Sequence, residues 1–116
     1  MPKLEALDLS YNQINVLPSG VFIYLKKLKA LSLKNNRLTG LSASLLRGPR
    51  DLEELELDGN KLDSTQLNEL FSDIPNLVRL EINNCGLSDT EVEHLNLIKV
   101  NKLTKLGIGG NNLTQG

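Results

Sequence analysis

The feature that most constrains this chain is an aliphatic pattern, L-x-x-L-x-L-x-x-N-x-L, which recurs five times along its 116 residues. The copies begin at Leu4, Leu28, Leu52, Leu77 and Leu103, with spacings of 24, 24, 25 and 26 residues. Every aliphatic position of the pattern holds Leu or Ile. A fixed period of this length is the signature of a repeat protein, in which neighbouring units bury one another's apolar side chains.

The alternation of aliphatic and polar residues in each copy predicts a short strand with one buried face. Strands of successive repeats would pair into a parallel sheet, and each connection would cross over on the other side. The ninth position of the pattern lies where the chain leaves the strand, and a side chain there can bond the backbone of the turn. We expect a structural ladder formed by Asn12, Asn36, Asn60, Cys85 and Asn111.

These residues resemble the leucine-rich repeat family, and the resemblance covers essentially the whole chain. The first repeat adds Leu17-Pro18-Ser19-Gly20-Val21-Phe22 and Leu25, which is similar to the typical 24-residue class. The resemblance implies an α/β fold, a right-handed solenoid or horseshoe fragment with a five-stranded parallel concave sheet and a convex side of mixed loops and helices. It also implies a module that binds a protein ligand on its concave face, as part of an extracellular receptor or a secreted recognition protein. The alternative is an intracellular scaffold or regulatory subunit that holds a partner enzyme.

The convex side is predicted to differ between repeats. In repeat one, a loop would pack Val21, Phe22 and Leu25 inward, and repeat two offers a short helix over 42–46 stopped by Gly48-Pro49. Repeat three predicts a helix from 64 to 71 that ends near Ile74-Pro75. In repeat four, residues 88–91 form a capping box before Val92, Leu95 and Ile98 at helical spacing.

Outward-facing strand positions supply the candidate ligand-binding residues on the concave face. Acidic side chains crowd its middle, which predicts a docking surface for a basic protein ligand. The alternative is a solvated face on which Glu54 and Arg79 pair at under about 1 kcal/mol. The candidate binding residues are Tyr11, Glu54, Glu56, Asp58, Arg79, Glu81 and Lys105.

Composition and motifs argue against several other functions. A net charge of −1 gives no basic field for nucleic acid, and no apolar run is long enough for membrane insertion. The lone His94 has no catalytic partner, and Gly107-Ile108-Gly109-Gly110 lacks the following Lys of a phosphate loop. The acidic residues lack the spacing of a calcium loop. We therefore predict no enzyme activity, no cofactor and no metal, and a structural role for Cys85.

We expect residues 1–116 to form a single repeat array with no visible cap at either end. We interpret it as a segment of a longer protein, and the alternative is end-to-end self-association through uncapped repeats. Asn112-Leu113-Thr114 is an N-glycosylation sequon. With the resemblance, it suggests an extracellular or cell-surface location, with a cytoplasmic location as the alternative.

Overall fold

Five parallel strands form one sheet in the computed structural model, which describes residues 3–18, 20–39, 41–42 and 44–111. Neighbouring strands follow chain order without exception, and each central leucine is in register with the next, as in Leu31↔Leu55 and Leu55↔Leu80. This confirms the predicted α/β solenoid. The strands are β1 (Ala6–Asp8), β2 (Ala30–Ser32), β3 (Glu54–Glu56), β4 (Arg79–Glu81) and β5 (Lys105–Gly107).

The core lies between the sheet and the convex side and consists largely of leucine. Leu31, Leu55 and Leu80 at the centres of three strands are almost completely buried, as is Phe71 on the convex side. Each fully buried aliphatic side chain contributes about 1.5–3 kcal/mol relative to an exposed one. Since side chains alternate along a strand, the residues on either side of each central leucine point away from the core. We call the surface that they form the concave face.

Two α-helices lie on the convex side of repeats three and four. Helix α1 (Ser64–Phe71) matches the predicted range, and Asp63 caps it by accepting a hydrogen bond from the Gln66 N–H at 2.9 Å. Helix α2 (Asp89–Glu93) is followed by a 3₁₀ turn (Leu97–Val100). The convex side is therefore mixed, as the repeat pattern predicts.

The capping box of repeat four differs from the prediction in one of its two arms. Ser88 Oγ accepts a hydrogen bond from the Glu91 N–H at 3.3 Å, as expected. The Glu91 carboxylate accepts from the backbone N–H of Ser64 at 2.6 Å instead of reaching back to Ser88. Glu91 therefore satisfies a donor at the start of α1 and joins the convex sides of repeats three and four. Hydrogen bonding to the Ser64 side chain, and then to its backbone N–H, lowers the pKa of Glu91.

Three convex-side predictions are wrong. Residues 44–46 form turns held by i→i+3 bonds, such as Leu45 N–H to Ser42 O at 3.0 Å, in place of a helix. Gly48-Pro49 follows too closely for α-helical bonds to accumulate. Val21 is 47% exposed because the loop of repeat one directs only Phe22 and Leu25 inward. Ile98 is 78% exposed because α2 ends at Glu93 and the 3₁₀ turn changes the side-chain period.

Candidate functional site

The register of the sheet aligns the concave face into columns that run across the five repeats. The first strand position aligns Ala6, Ala30, Glu54, Arg79 and Lys105. The third strand position aligns Asp8, Ser32, Glu56, Glu81 and Gly107. Adjacent members of a column are about 4.8 Å apart, the spacing of paired strands. Five of the seven predicted binding residues therefore share one surface, and Asp58 and Tyr11 lie just beyond the strands.

Arg79 organises the acidic centre of this face. Its Nη2 lies 2.6 Å from the Glu81 carboxylate and 3.6 Å from that of Glu56. The expected pairing of Arg79 with Glu54 is therefore wrong, although the two residues are in register. The long guanidinium side chain extends across the strands toward the neighbouring column, where two carboxylates attract it in place of one. Lys34 also approaches Glu56, at 3.9 Å.

Glu54 differs from the other two glutamates of the face. It is exposed, and within the part of the chain that the structure describes no cation comes within ion-pair distance of its carboxylate. Lys105 is exposed on β5, at the far side of Arg79. Negative charge is thus concentrated on β1–β3, where Asp8, Glu54 and Glu56 lie. On β4 the charges of Arg79 and Glu81 offset each other, and Lys105 adds a positive charge on β5.

A third column, immediately after the strands, is tied into the scaffold. Asp58 Oδ1 accepts hydrogen bonds from the backbone N–H of Asn83 at 2.8 Å and from its side-chain amide at 3.2 Å. Asn83 Oδ1 in turn accepts from the Gly109 N–H at 2.6 Å. This oxygen of Asp58 holds repeats three and four together, so a ligand at Asp58 would compete with an internal hydrogen bond.

Tyr11 lies in the turn after β1, with its side chain 72% exposed. Its backbone is left-handed, with a φ of 58°. The residue before the ladder position is left-handed in all five repeats, at Tyr11, Asn35, Gly59, Asn84 and Gly110. Sequence reasoning missed this column, although Asn or Gly at four of the five positions was a usable signal. Tyr11 is the one bulky side chain at this position, and it projects into solvent.

The ladder residues join each coil to the one before it. Asn60 Nδ2 donates to the carbonyls of Leu57 in its own coil, at 3.0 Å, and of Leu33 in the preceding coil, at 2.9 Å. Its Oδ1 accepts from the Leu38 N–H at 3.1 Å. Asn36 and Asn111 make the equivalent bonds. These bonds fix the positions of the strands whose outward side chains form the concave face.

Cys85 occupies the same position with different chemistry. Its Sγ lies 3.3 Å from the Leu57 carbonyl oxygen, and it has no amide oxygen to accept from the Leu62 N–H. The Cys85 backbone carbonyl accepts that bond instead, at 3.2 Å. Burial raises the pKa of the thiol to about 11, which disfavours the reactive thiolate. This environment suits a structural side chain.

Three other observations bear on function. Within the described ranges, no three His, Cys, Asp or Glu side chains are grouped so that they could hold a metal ion. None of the helices that the structure describes is long and apolar enough to span a membrane. The sequon at Asn112 lies outside the described residues.

A family profile described as "Leucine rich repeat" matches residues 2–62, which is more than half of the chain. The chain belongs to the leucine-rich repeat family. Among solved structures, this leucine-rich repeat chain is similar to an internalin of Listeria monocytogenes, with a TM-score of 0.73 and 23% sequence identity. The similarity covers 98% of this chain and 31% of the internalin, so the chain spans about a third of that protein. A comparison with curated proteins finds no match.

Membership of this family supports a protein–protein interaction module. Leucine-rich repeat arrays generally act as non-enzymatic binding modules for proteins, and no catalytic family is indicated. Such arrays occur both outside and inside cells, so the family does not by itself place the chain in a compartment.

Proposed function

We propose that this leucine-rich repeat array binds a protein ligand that carries basic residues, and that the ligand docks on the acidic part of the concave face. The observation that carries the proposal is the position of Glu54 and Glu56 on β3 next to Glu81 on β4, with Glu56 and Glu81 in register. Glu56 and Glu81 are one strand spacing apart, about 4.8 Å, and Glu54 is two residues from Glu56 on the same face. Carboxylates held close together on a rigid sheet reinforce one another's field and favour a ligand of opposite charge.

Arg79 has two effects on this surface. It offsets part of the repulsion between Glu56 and Glu81, which lie next to each other in one column. It also offers a planar donor group to a ligand, and Arg is among the residues that most often dominate binding energy at interfaces. The residual negative charge lies on β1–β3, so we expect the basic part of a ligand to dock there.

Peptide-display panning against the purified array tests this proposal. Peptides enriched by the wild-type chain should be rich in Lys and Arg, and their binding should weaken as salt rises. The charge-reversed variant Glu56→Lys/Glu81→Lys should lose these peptides. Glu69→Lys is a matched control because Glu69 is exposed on α1, on the convex side.

Circular dichroism should show that all of these proteins are folded, and sedimentation should show whether ligand capture competes with self-association. Enrichment of neutral or acidic peptides would contradict the proposal. So would unchanged binding by Glu56→Lys/Glu81→Lys, which would mean that the charges merely keep the face soluble.

We further propose that the array acts outside the cell, as part of a receptor or a secreted recognition protein. The Asn112 sequon supports this location. The alternative is an intracellular scaffold or regulatory subunit, and the single unpaired Cys85 favours it. Mass spectrometry of the protein from its native source separates the two, because a glycan on Asn112 requires the secretory pathway and an unmodified Asn112 favours the cytosol.

A further inference from the structure

A small depression lies on the acidic side of the concave face, between β1 and β3. Its volume is about 260 Å³. The short side chains of Ala6, Ala30 and Ser32 leave this space open, and its lining also includes Asp8, Glu54 and Glu56. Strands β1 and β3 are two strand spacings apart, or about 10 Å, which is wide enough for one extended side chain to lie between them.

Ser32 provides a second and independent observation. It is only 8% exposed, and within the described chain its hydroxyl oxygen has no hydrogen-bond partner. The residue alternates with the core residue Leu31, so its side chain points to the concave side, where it lines the depression. A buried hydroxyl without a partner is unfavourable, and a polar ligand group that reaches it relieves the cost.

The carboxylates of the depression are available to a cation to different degrees. Glu54 has no ion pair among the described residues, whereas Glu56 forms ion pairs with Lys34 and Arg79. Asp8 accepts hydrogen bonds from the Ser10 hydroxyl and backbone N–H, which lower its pKa and keep it ionised. Three acidic groups therefore surround an apolar floor of two alanines. Lys34 acts on both Asp8 and Glu56, so Glu54 is the carboxylate of the depression that no described cation of the scaffold offsets.

We propose that this depression is an anchor site for a single Lys or Arg side chain of the protein ligand. The aliphatic stem of the side chain lies on Ala6 and Ala30, and its charged group lies among Asp8, Glu54 and Glu56, within reach of the Ser32 hydroxyl. This inference rests on the proposed function, and it identifies which part of the concave face recognises the ligand. A long cationic side chain fits because it combines an apolar stem with a charged donor end.

The test uses three capped pentapeptides, Gly-Gly-X-Gly-Gly, in which X is Arg, Lys or the neutral Arg analogue citrulline. Binding is measured from NMR shifts of the Ala6 and Ala30 methyl groups as each peptide is titrated into the full chain. The Arg and Lys peptides should give saturable shifts, and the citrulline peptide should bind about tenfold more weakly because it lacks the charge.

Variants separate the anchor site from the general charge of the face. Ala30→Leu fills the depression without changing the net charge, and it should abolish the saturable shifts. Ala6→Leu, at an exposed position, fills the same space if Ala30→Leu does not fold. Thr65→Leu adds similar bulk at an exposed position of α1 and should leave binding unchanged.

The anchor site is overturned if the folded filled variant binds the Arg peptide as the wild-type chain does, or if citrulline binds equally well. That result leaves the proposed function standing, provided that basic peptides from display still depend on Glu56 and Glu81. Loss of display binding in both Ala30→Leu and Glu56→Lys/Glu81→Lys, with Thr65→Leu unaffected, supports both proposals.

Discussion

Removal of the Asn60 side chain should be one of the most destabilising single polar substitutions in this array. Asn60 is 3% exposed and makes four hydrogen bonds, two of which cross to the preceding coil; the longest, to the Asp58 carbonyl at 3.4 Å, stays within its own coil. In Asn60→Ala, the Leu33 carbonyl retains its bond from Asn36, and the Leu57 carbonyl retains its contact with Cys85 Sγ. The Leu38 N–H is left buried without a partner.

The expected loss of stability in Asn60→Ala follows from the hydrogen bonds that are removed. A buried donor without a partner costs about 1–3 kcal/mol, and each of the two shorter amide bonds, to the Leu33 and Leu57 carbonyls, contributes roughly 1 kcal/mol, which gives a total of about 3–5 kcal/mol. This is a large fraction of the stability of a small domain, roughly 5–15 kcal/mol. The matched control is Asn12→Ala, because Asn12 is exposed and its amide bonds to Leu9 and Ser10 stay within its own turn. Its loss should cost about 1 kcal/mol or less.

Urea unfolding followed by far-ultraviolet circular dichroism measures both variants against the wild-type chain. The comparison is valid if the transitions are cooperative and share the same dependence on urea concentration. Equal free-energy losses for Asn60→Ala and Asn12→Ala would refute the reasoning. They would show that the cross-coil bonds contribute no more than bonds within a turn.

Three further predictions concern pH, capping and backbone strain. The stability contributed by Cys85 should be complete below its ordinary pKa of 9.0 and be lost as pH rises toward 11, and urea midpoints of Cys85→Ala should lack this loss. Glu91→Ala should destabilise the chain by about 0.5–1 kcal/mol, because the Ser64 N–H loses its partner in the neighbouring repeat. Glu93→Ala should destabilise it less, since Glu93 is exposed on the same helix. Equal decreases in melting temperature for the two variants would contradict the role of Glu91 as a cap of α1. Tyr11→Asn should stabilise the chain by about 0.5–1 kcal/mol, because Asn adopts the left-handed conformation of this position more readily than Tyr, as it does at Asn35. A melting temperature below that of the wild-type chain would contradict this prediction.

The sheet could be predicted from sequence because the aliphatic pattern determines which side of each strand is buried. Leu7, Leu31 and Leu55 occupy the same place in each copy, so their register follows directly from the repeat spacing. Helix α1 could be predicted for a similar reason, since Leu67 and Leu70 have helical spacing and Asp63 precedes the helix as a cap.

The convex side was less predictable because its segments are short and depend on neighbouring repeats. The Glu91 side chain bonds a backbone N–H 27 residues earlier, a partner that no local motif identifies. The ion-pair partners of Arg79 depend similarly on the spatial arrangement. The register places Arg79 opposite Glu54, but its side chain is long enough to reach Glu56 and Glu81. The anchor depression depends on Ala30 and Ser32 being small, which no binding motif marks.

On the concave face, the residues that hold the scaffold together and the residues that are available to a ligand occupy different positions, and the reason lies in how a solenoid is stabilised. Because each coil contacts only its neighbours, the bonds that align coils must be repeated at every step. The ladder and the column of Asp58 and Asn83 meet this need, so the polar groups just after the strands are largely engaged in holding the scaffold. The outward side chains of the strands contribute little to holding the coils together, so their chemistry can differ from repeat to repeat. Arg79 is an exception, because its guanidinium group is paired with Glu56 and Glu81. A cationic group of a ligand can therefore approach Glu54 without displacing Arg79 from its ion pairs.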